Sequence, residues 1–244
     1  MNMNMEGKNE KLVPNAEVVA KKLQLTEEME QLCAQENPDR NRIAAISDAS
    51  HDLDQKYNFF DQEFEADGLK GLKDISGKVL VPAMYHDFCE IYHYNIMRNS
   101  PVAAVNAENK VALVKTDGTG APLTEFIYDN IHNVPMSRLY AAYIGKKAAI
   151  LTPNGKELVP CIIDSYTELL NGISNFESDG KEGLFTTQGL YVAPQFDEVT
   201  EKDELVYVRK GEVWGFIDDE GHFIEENDEE ALDDACCLSW FPCF

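Results

Sequence analysis

Histidine and cysteine side chains cluster in the stretch HDFCEIYHY, residues 86–94, where a metal ion could be held. His86, Cys89 and His93 have the residue types and the close spacing of zinc ligands. A structural zinc site needs four ligands, and the only other cysteine cluster stands near the end of the chain. We therefore expect no metal site, and the sequence indicates no other cofactor.

Carboxylates are the most abundant groups with catalytic potential. Asp218, Asp219 and Glu220 precede Gly221 as acids precede the glycine of a calcium-binding loop. With Gly221 in the sixth place, however, the first ligand position would hold Phe216, so the loop pattern fails. Acid pairs elsewhere in the chain leave a carboxylate-dependent hydrolase open as an alternative.

The adjacent thiols Cys236 and Cys237 form a candidate reactive pair. Their acidic neighbours are expected to raise the pKa of both thiols, which weakens them as nucleophiles. The chain also has no glycine-rich phosphate loop, no GxSxG elbow and no dinucleotide-binding fingerprint. We expect no catalytic residues, and an enzyme is the less favoured class of function.

The charge of the chain restricts its partners. The 244 residues carry a formal net charge of −23 at pH 7, from 44 acidic and 21 basic side chains. Such a field repels nucleic-acid phosphates and anionic membrane surfaces, so neither is an expected partner. A basic protein or peptide is the partner that this charge favours.

The sequence predicts a cytoplasmic protein. Its first residues, MNMNMEGKNEKLVPN, contain no apolar segment of the kind found in a secretory signal, and no run approaches the length of a membrane span. The six cysteines are therefore interpreted as reduced thiols, at positions 33, 89, 161, 236, 237 and 243.

Five glycines, each followed by the next after 32 to 41 residues, divide most of the chain into repeated units. The spacing between them falls from 41 to 32 residues along the chain. A small residue stands six positions before each glycine, and proline and then aspartate follow in most units. The turn glycines are Gly77, Gly118, Gly155, Gly189 and Gly221, and the small residues are Gly71, Ala112, Ala149, Gly183 and Gly215. The prolines are Pro82, Pro122, Pro160 and Pro194, and the aspartates are Asp87, Asp129, Asp164 and Asp197.

The residue types within a unit predict about three short strands. In the last unit, a first strand ends at the turn glycine Gly211, and the second strand contains Trp214 and Gly215. The small residue permits close approach of a neighbouring backbone. Proline is expected to mark a strand end or a bend at a sheet edge, because it cannot donate to a ladder. The aspartate is expected to accept hydrogen bonds from backbone N–H groups of the next loop.

These landmarks resemble the WG, or KWG, repeat of bacterial proteins over residues 57–226. The last unit has the name-giving dipeptide, Trp214-Gly215, whereas the earlier units keep only the small residue. The resemblance implies a repeat-built domain that binds other molecules. It implies no catalytic residues.

Residues 1–56 are predicted to form a helical segment that precedes the repeats. Apolar residues recur at helical spacing from Val18 to Leu32, with Asn15 as N-cap, and a second helix is expected over 41–56. Residues 227–244 form an acidic and then apolar tail. The predicted fold is therefore mainly β, with five antiparallel three-stranded units that close into a propeller-like ring or stack as an open solenoid.

The expected function is a non-enzymatic module that binds a protein or peptide through an acidic surface. An inhibitor or immunity-type protein that blocks a basic enzyme is a narrower form of this hypothesis. Tyrosines in the connections offer amphipathic contact area, although at least half of them are expected to fill the core. These tyrosines are Tyr85, Tyr92, Tyr94, Tyr128, Tyr140, Tyr143 and Tyr166. The predicted partner-binding residues are Tyr92, Tyr94, Asp218, Asp219, Glu225 and Glu226.

Overall fold

The computed structural model describes residues 11–33, 39–59, 61–74, 77–89, 100–134, 137–170, 172–202, 205–218 and 220–226. Within these ranges, two helices precede strands that pair into five antiparallel sheets. Each sheet is formed by consecutive strands of the chain. A mainly β architecture with five antiparallel sheets is thus confirmed.

The helices are α1 (Ala16–Cys33) and α2 (Arg40–Lys56). Asn15 begins α1 as predicted, because its side-chain oxygen accepts a hydrogen bond from the N–H of Val18 at 3.0 Å. An ion pair connects the two helices: Lys22 of α1, which is 3% exposed, contacts the carboxylate of Asp54 in α2 at 2.6 Å. No helix in the described part of the chain is long and apolar enough to cross a bilayer.

The strands of the first three sheets have the following bounds. The first sheet contains β1 (Gln62–Ala66), β2 (Leu69–Lys73) and β3 (Val79–Tyr85). The second contains β4 (Asp87–Phe88), β5 (Val102–Val105) and β6 (Val111–Val114). The third contains β7 (Asn130–Asn133), β8 (Tyr140–Ile144), β9 (Lys147–Leu151) and β10 (Glu157–Ile163).

The last two sheets have four strands each. The fourth sheet contains β11 (Ser165–Leu170), β12 (Ile173–Ser178), β13 (Lys181–Thr186) and β14 (Tyr191–Phe196). The fifth contains β15 (Glu198–Lys202), β16 (Leu205–Lys210), β17 (Val213–Ile217) and β18 (Phe223–Glu225). The prediction of three strands throughout is corrected here, since a further strand begins at or directly after each repeat aspartate, as β4, β7, β11 and β15.

The core lies between consecutive sheets. Side chains alternate along each strand, so a sheet presents one apolar face to the preceding sheet and the other to the next. In the described residues, four buried clusters follow this order, one for each pair of neighbouring sheets. The cluster between the third and fourth sheets, for example, joins Ile150 and Ile163 to Phe176 and Phe185.

The small repeat residue allows two neighbouring strands to approach in the fourth sheet. A Cβ atom added to Gly183 would lie 2.6 Å from the Val192 carbonyl oxygen and 2.6 Å from the Phe176 ring. Phe176 is the cross-strand partner of Gly183, so the ring covers the glycine. The second and third sheets have alanine at this position, and there it faces alanine, as Ala104–Ala112 and Ala142–Ala149.

Three repeat prolines lie inside a strand and do not end it. Pro82 lies in β3, Pro160 in β10 and Pro194 in β14, which are strands at the edge of their sheets. In β10 the register shifts between Val159 and Ile163, so Pro160 lies in a bulge. The expected position at a sheet edge is confirmed. The expected strand end is wrong, because the bulge accommodates the missing N–H inside the strand.

Candidate functional site

Each repeat aspartate lies at the junction between one sheet and the next. At the third junction, the Asp164 carboxylate accepts a hydrogen bond from the backbone N–H of Asp179 at 3.1 Å and contacts Lys147 Nζ at 2.8 Å. Asp129 and Asp197 likewise accept from turn N–H groups, as predicted from the sequence. A lysine of the preceding sheet binds each of the four aspartates, as Lys70–Asp87, Lys110–Asp129, Lys147–Asp164 and Lys181–Asp197.

These contacts make the repeat aspartates permanent anions at neutral pH. The ammonium of Lys147 holds the pKa of Asp164 below its ordinary value, and Lys181 does the same for Asp197. At Asp129 the largest cause of the lowered pKa is the N–H of Gly145. The lysines were missed in the sequence, although each stands one or two positions before the small repeat residue.

Three of the six predicted partner-binding residues lie within the described ranges. Tyr92, Tyr94 and Asp219 lie outside the described residues. Glu225 and Glu226 are exposed at the end of β18, an edge strand of the fifth sheet. Their carboxylates are therefore placed where a partner can reach them, and their role in binding stays a prediction.

Asp218 has a structural task within its own turn. Its carboxylate accepts hydrogen bonds from the N–H groups of Glu220 and His222, at 3.0 and 2.7 Å. In earlier sheets, Asp74 and Thr152 likewise accept a hydrogen bond from the backbone N–H of the residue four positions later in the chain. These bonds hold the pKa of Asp218 below its ordinary value against the opposing effect of burial. The role of Asp218 in binding stays a prediction.

A cavity of about 440 Å³ opens between the third and fourth sheets, beside the junction at Asp164. Its walls combine apolar, hydroxyl and carboxylate side chains. The lining residues are Val134, Tyr143, Ala148, Ile163, Asp164, Ser165, Tyr166, Glu168 and Ser174. Of the tyrosines noted in the sequence, Tyr143 and Tyr166 line this cavity. Tyr85, Tyr128 and Tyr140 are instead buried in the core.

Two tyrosines form one side of this cavity. Tyr143 and Tyr166 both line the cavity, and His132 stacks on Tyr143 with 5.1 Å between ring centroids. Burial raises the pKa of Tyr166 to about 12 and lowers the pKa of His132. The tyrosines are therefore neutral hydrogen-bonding groups at physiological pH.

The cavity suits binding better than acid–base catalysis. Glycosidase-type chemistry needs one protonated and one ionised carboxyl group. Asp164 is held ionised by Lys147, and neither Ser165 nor Ser174 has a histidine among the lining residues to activate it. Glu168 is exposed, and no ion pair or hydrogen bond engages its carboxylate within the described ranges.

One further carboxyl group has a shifted pKa. Burial, and secondarily the charge of Asp74, raise the pKa of Asp61 to about 7. Its Oδ1 atom is buried without a hydrogen-bond partner. Asp61 lies just before β1, far along the chain from the cavity residues, and no sequence motif marks it.

The described residues contain no group of three or more histidine, cysteine, aspartate or glutamate side chains that could hold a metal ion. Cys89 and Cys161 are free thiols. His93, the third member of the histidine–cysteine cluster in the sequence, lies outside the described residues.

Comparison with known proteins finds a distant structural likeness. Neither a protein-family model nor a curated protein matches the sequence. A solved structure of PorZ, described as an essential bacterial surface component of the type-IX secretion system of Porphyromonas gingivalis, matches with 8% identity and a TM-score of 0.26. The match covers 68% of this chain and 24% of that protein, so this chain spans about a quarter of its length. A likeness at this level carries no argument about function.

Proposed function

We propose that the chain is a non-enzymatic binding module that holds a basic protein or peptide against a strongly acidic repeat domain. The ion pairs at the sheet junctions are the observation that carries this proposal. Four lysines are used there to neutralise four structural aspartates. These pairs use equal numbers of acids and bases, so the excess of acidic over basic side chains is unchanged, and we assign it to recognition of a partner.

The proposal includes two statements about the scaffold. The first is that its repeats are of the WG type, and the second is that its sheets stack as an open array. The turn glycines and small residues at their predicted places in the sheets support the first statement. The order of the buried clusters supports the second, because within the described residues each cluster joins sheets that follow one another in the chain. Such arrays present extended surfaces, which suits recognition of another protein.

A catalytic role for the cavity has less support. Its two carboxylates are Asp164, which is occupied by Lys147, and Glu168, which is exposed. We place the interaction in the cytoplasm, where the thiols of Cys89 and Cys161 would stay reduced.

Affinity capture tests the proposal. The immobilised chain is exposed to lysate from the source cells and washed at low and then moderate salt, beside an unrelated globular protein of equal net charge. A basic protein that binds only to the chain, saturates at a fixed stoichiometry and is released by salt is the expected result. Retention of the same proteins by both baits, or of none, would contradict a specific acidic binding surface.

A further inference from the structure

We infer that the cavity between the third and fourth sheets is a binding site for a lysine side chain. This inference rests on the proposed function, because it names the group of the basic partner that is bound. The volume of about 440 Å³ lies within the range of about 300–1,000 Å³ that is typical of small-molecule sites. An aliphatic stem that ends in an ammonium group matches the two kinds of wall in the cavity.

The apolar walls can take the methylene groups of a lysine. Val134, Ala148 and Ile163 line this part of the cavity, and Ala148 and Ile163 are 2% and 1% exposed. The remaining apolar surface comes from the rings of Tyr143 and Tyr166. Tyrosine faces also attract a cation, which adds to the apolar contact.

The polar groups fit the ammonium end. Glu168 supplies a carboxylate with no partner in the described part of the chain. Ser174 lines the cavity at 4% exposure, and no described residue hydrogen-bonds its hydroxyl. An ammonium group has three donors, so it could bind the Glu168 carboxylate, the Ser174 hydroxyl and one tyrosine oxygen together.

The positive charge of Lys147 does not repel such a ligand strongly. Lys147 Nζ lies 2.8 Å from Asp164 and 3.2 Å from Asp179, so two carboxylates surround it. The carboxylates of Asp164 and Glu168 line the cavity, and no basic side chain is among its lining residues. A ligand cation is therefore attracted to it.

The combination of Tyr166, Glu168 and Ser174 does not recur at the equivalent positions of the third and fifth sheets. Counted from the junction aspartate, the places of Tyr166 and Glu168 in the fourth sheet are those of Val199 and Glu201 in the fifth. The cross-strand partner of Glu168 is Ser174, whereas that of Glu201 is Val206. In the third sheet the same three places hold Ile131, Asn133 and Tyr140.

A calorimetric titration tests the site with a defined probe, Nα-acetyl-lysine N-methylamide. Nα-Acetyl-norleucine N-methylamide, which keeps the stem and lacks the ammonium group, is the control ligand. We expect saturable one-site binding of the lysine derivative and none of the norleucine derivative. Equal binding of both, or an unsaturable signal, would overturn the inference.

Two matched variants place the binding in the cavity. Glu168→Gln is expected to weaken the lysine derivative by about fivefold, the scale of a partly exposed ion pair, while Glu201→Gln leaves its affinity unchanged. Both side chains are exposed, so both variants are expected to fold, which thermal unfolding verifies. Equal losses in the two variants would show general charge attraction and would refute the site.

The captured partner separates failure of this inference from failure of the proposed function. If the basic partner binds the Glu168→Gln and Glu201→Gln variants equally well, the cavity is not its lysine site, and the binding function stands. If the chain retains no basic partner, the proposed function fails whatever the lysine derivative does.

Discussion

At the scale of single residues, the close contact at Gly183 sets how near two strands of the fourth sheet lie. The position is inside a strand, where an alanine ordinarily improves stability by about 0.5–1 kcal/mol over glycine. Here the added Cβ would lie 2.6 Å from both the Val192 carbonyl and the Phe176 ring. The direction in which Gly183→Ala changes the free energy of unfolding therefore shows whether the two strands are in close contact.

Gly183→Ala is expected to lower the free energy of unfolding by about 1–3 kcal/mol, the usual cost of overpacking a core. Urea denaturation measures this value. Ala149→Gly, at the equivalent place in the third sheet, serves as the reciprocal variant and is expected to cost about 1 kcal/mol or less, because it adds flexibility without a clash. A neutral or stabilising Gly183→Ala would show that the strands are not in close contact.

Asp61 predicts a pH dependence of stability with a sign opposite to that of the junction aspartates. Its pKa rises from 3.8 to about 7 on folding, so the folded chain binds the additional proton between these values. The free energy of unfolding should therefore fall as the pH rises from 4 to 7 through this group. Asp61→Asn, which keeps the neutral shape, should exceed the wild type in stability above pH 7 and match it near pH 4.

Urea denaturation of both proteins across this pH range measures the difference. Asp48→Asn, at an exposed position on the second helix, is the control and should run parallel to the wild type. A difference between Asp61→Asn and the wild type that stays constant with pH would contradict the shifted pKa.

At the scale of elements, the turn between the third and fourth strands of a sheet also holds neighbouring sheets together. Gly155, at the turn of the third sheet, has a φ of +80°, and a Cβ there would lie 2.5 Å from the Leu123 carbonyl oxygen. Leu123 belongs to the segment that follows the second sheet. Gly189, in the same turn of the fourth sheet, has a φ of +101° and no atom within 4 Å of such a Cβ.

Gly155→Ala is expected to destabilise the fold more than Gly189→Ala. Both alanines must take a left-handed conformation, which costs about 1–2 kcal/mol. Only the first also meets a backbone oxygen, which adds about 1–3 kcal/mol. Thermal or urea unfolding of the pair measures the difference, and equal losses would show that the turn of the third sheet makes no contact with the second.

The elements that the sequence predicted were those with a local signal. Glycine and proline fix the second, third and fourth strands of a unit, because their backbone restrictions are visible without a neighbour. The first strand was missed since Asn130–Asn133 and Glu198–Lys202 are short and mostly polar, and only pairing with the next strand makes them β. The junction lysines were missed because each pairs with an aspartate of the following sheet. Glu168 was missed because the cavity that it lines also takes residues from the third sheet.

At the scale of the whole molecule, the net charge of −23 opposes the compact state through self-repulsion. The Debye length shortens from about 30 Å at 0.01 M salt to about 8 Å at 0.15 M, so salt relieves this repulsion. The junction ion pairs are exposed and lose little on screening, since a surface pair contributes only about 0–1 kcal/mol.

The melting temperature is therefore expected to rise with sodium chloride between these concentrations. Scanning calorimetry at constant pH measures it. A melting temperature that falls or stays flat would indicate that the acidic side chains are compensated within the fold and are not available to a partner.

The most direct test of an acidic binding surface is the association rate of the captured basic partner, measured by stopped flow across a range of salt. The rate is expected to fall steeply with salt and to fall further in the double variant Glu225→Gln with Glu226→Gln. Glu17→Gln with Asp48→Asn removes the same charge from the exposed helices and is expected to slow association less. A rate independent of salt, or equal slowing by the two double variants, would contradict recognition through the acidic edge of the repeat domain.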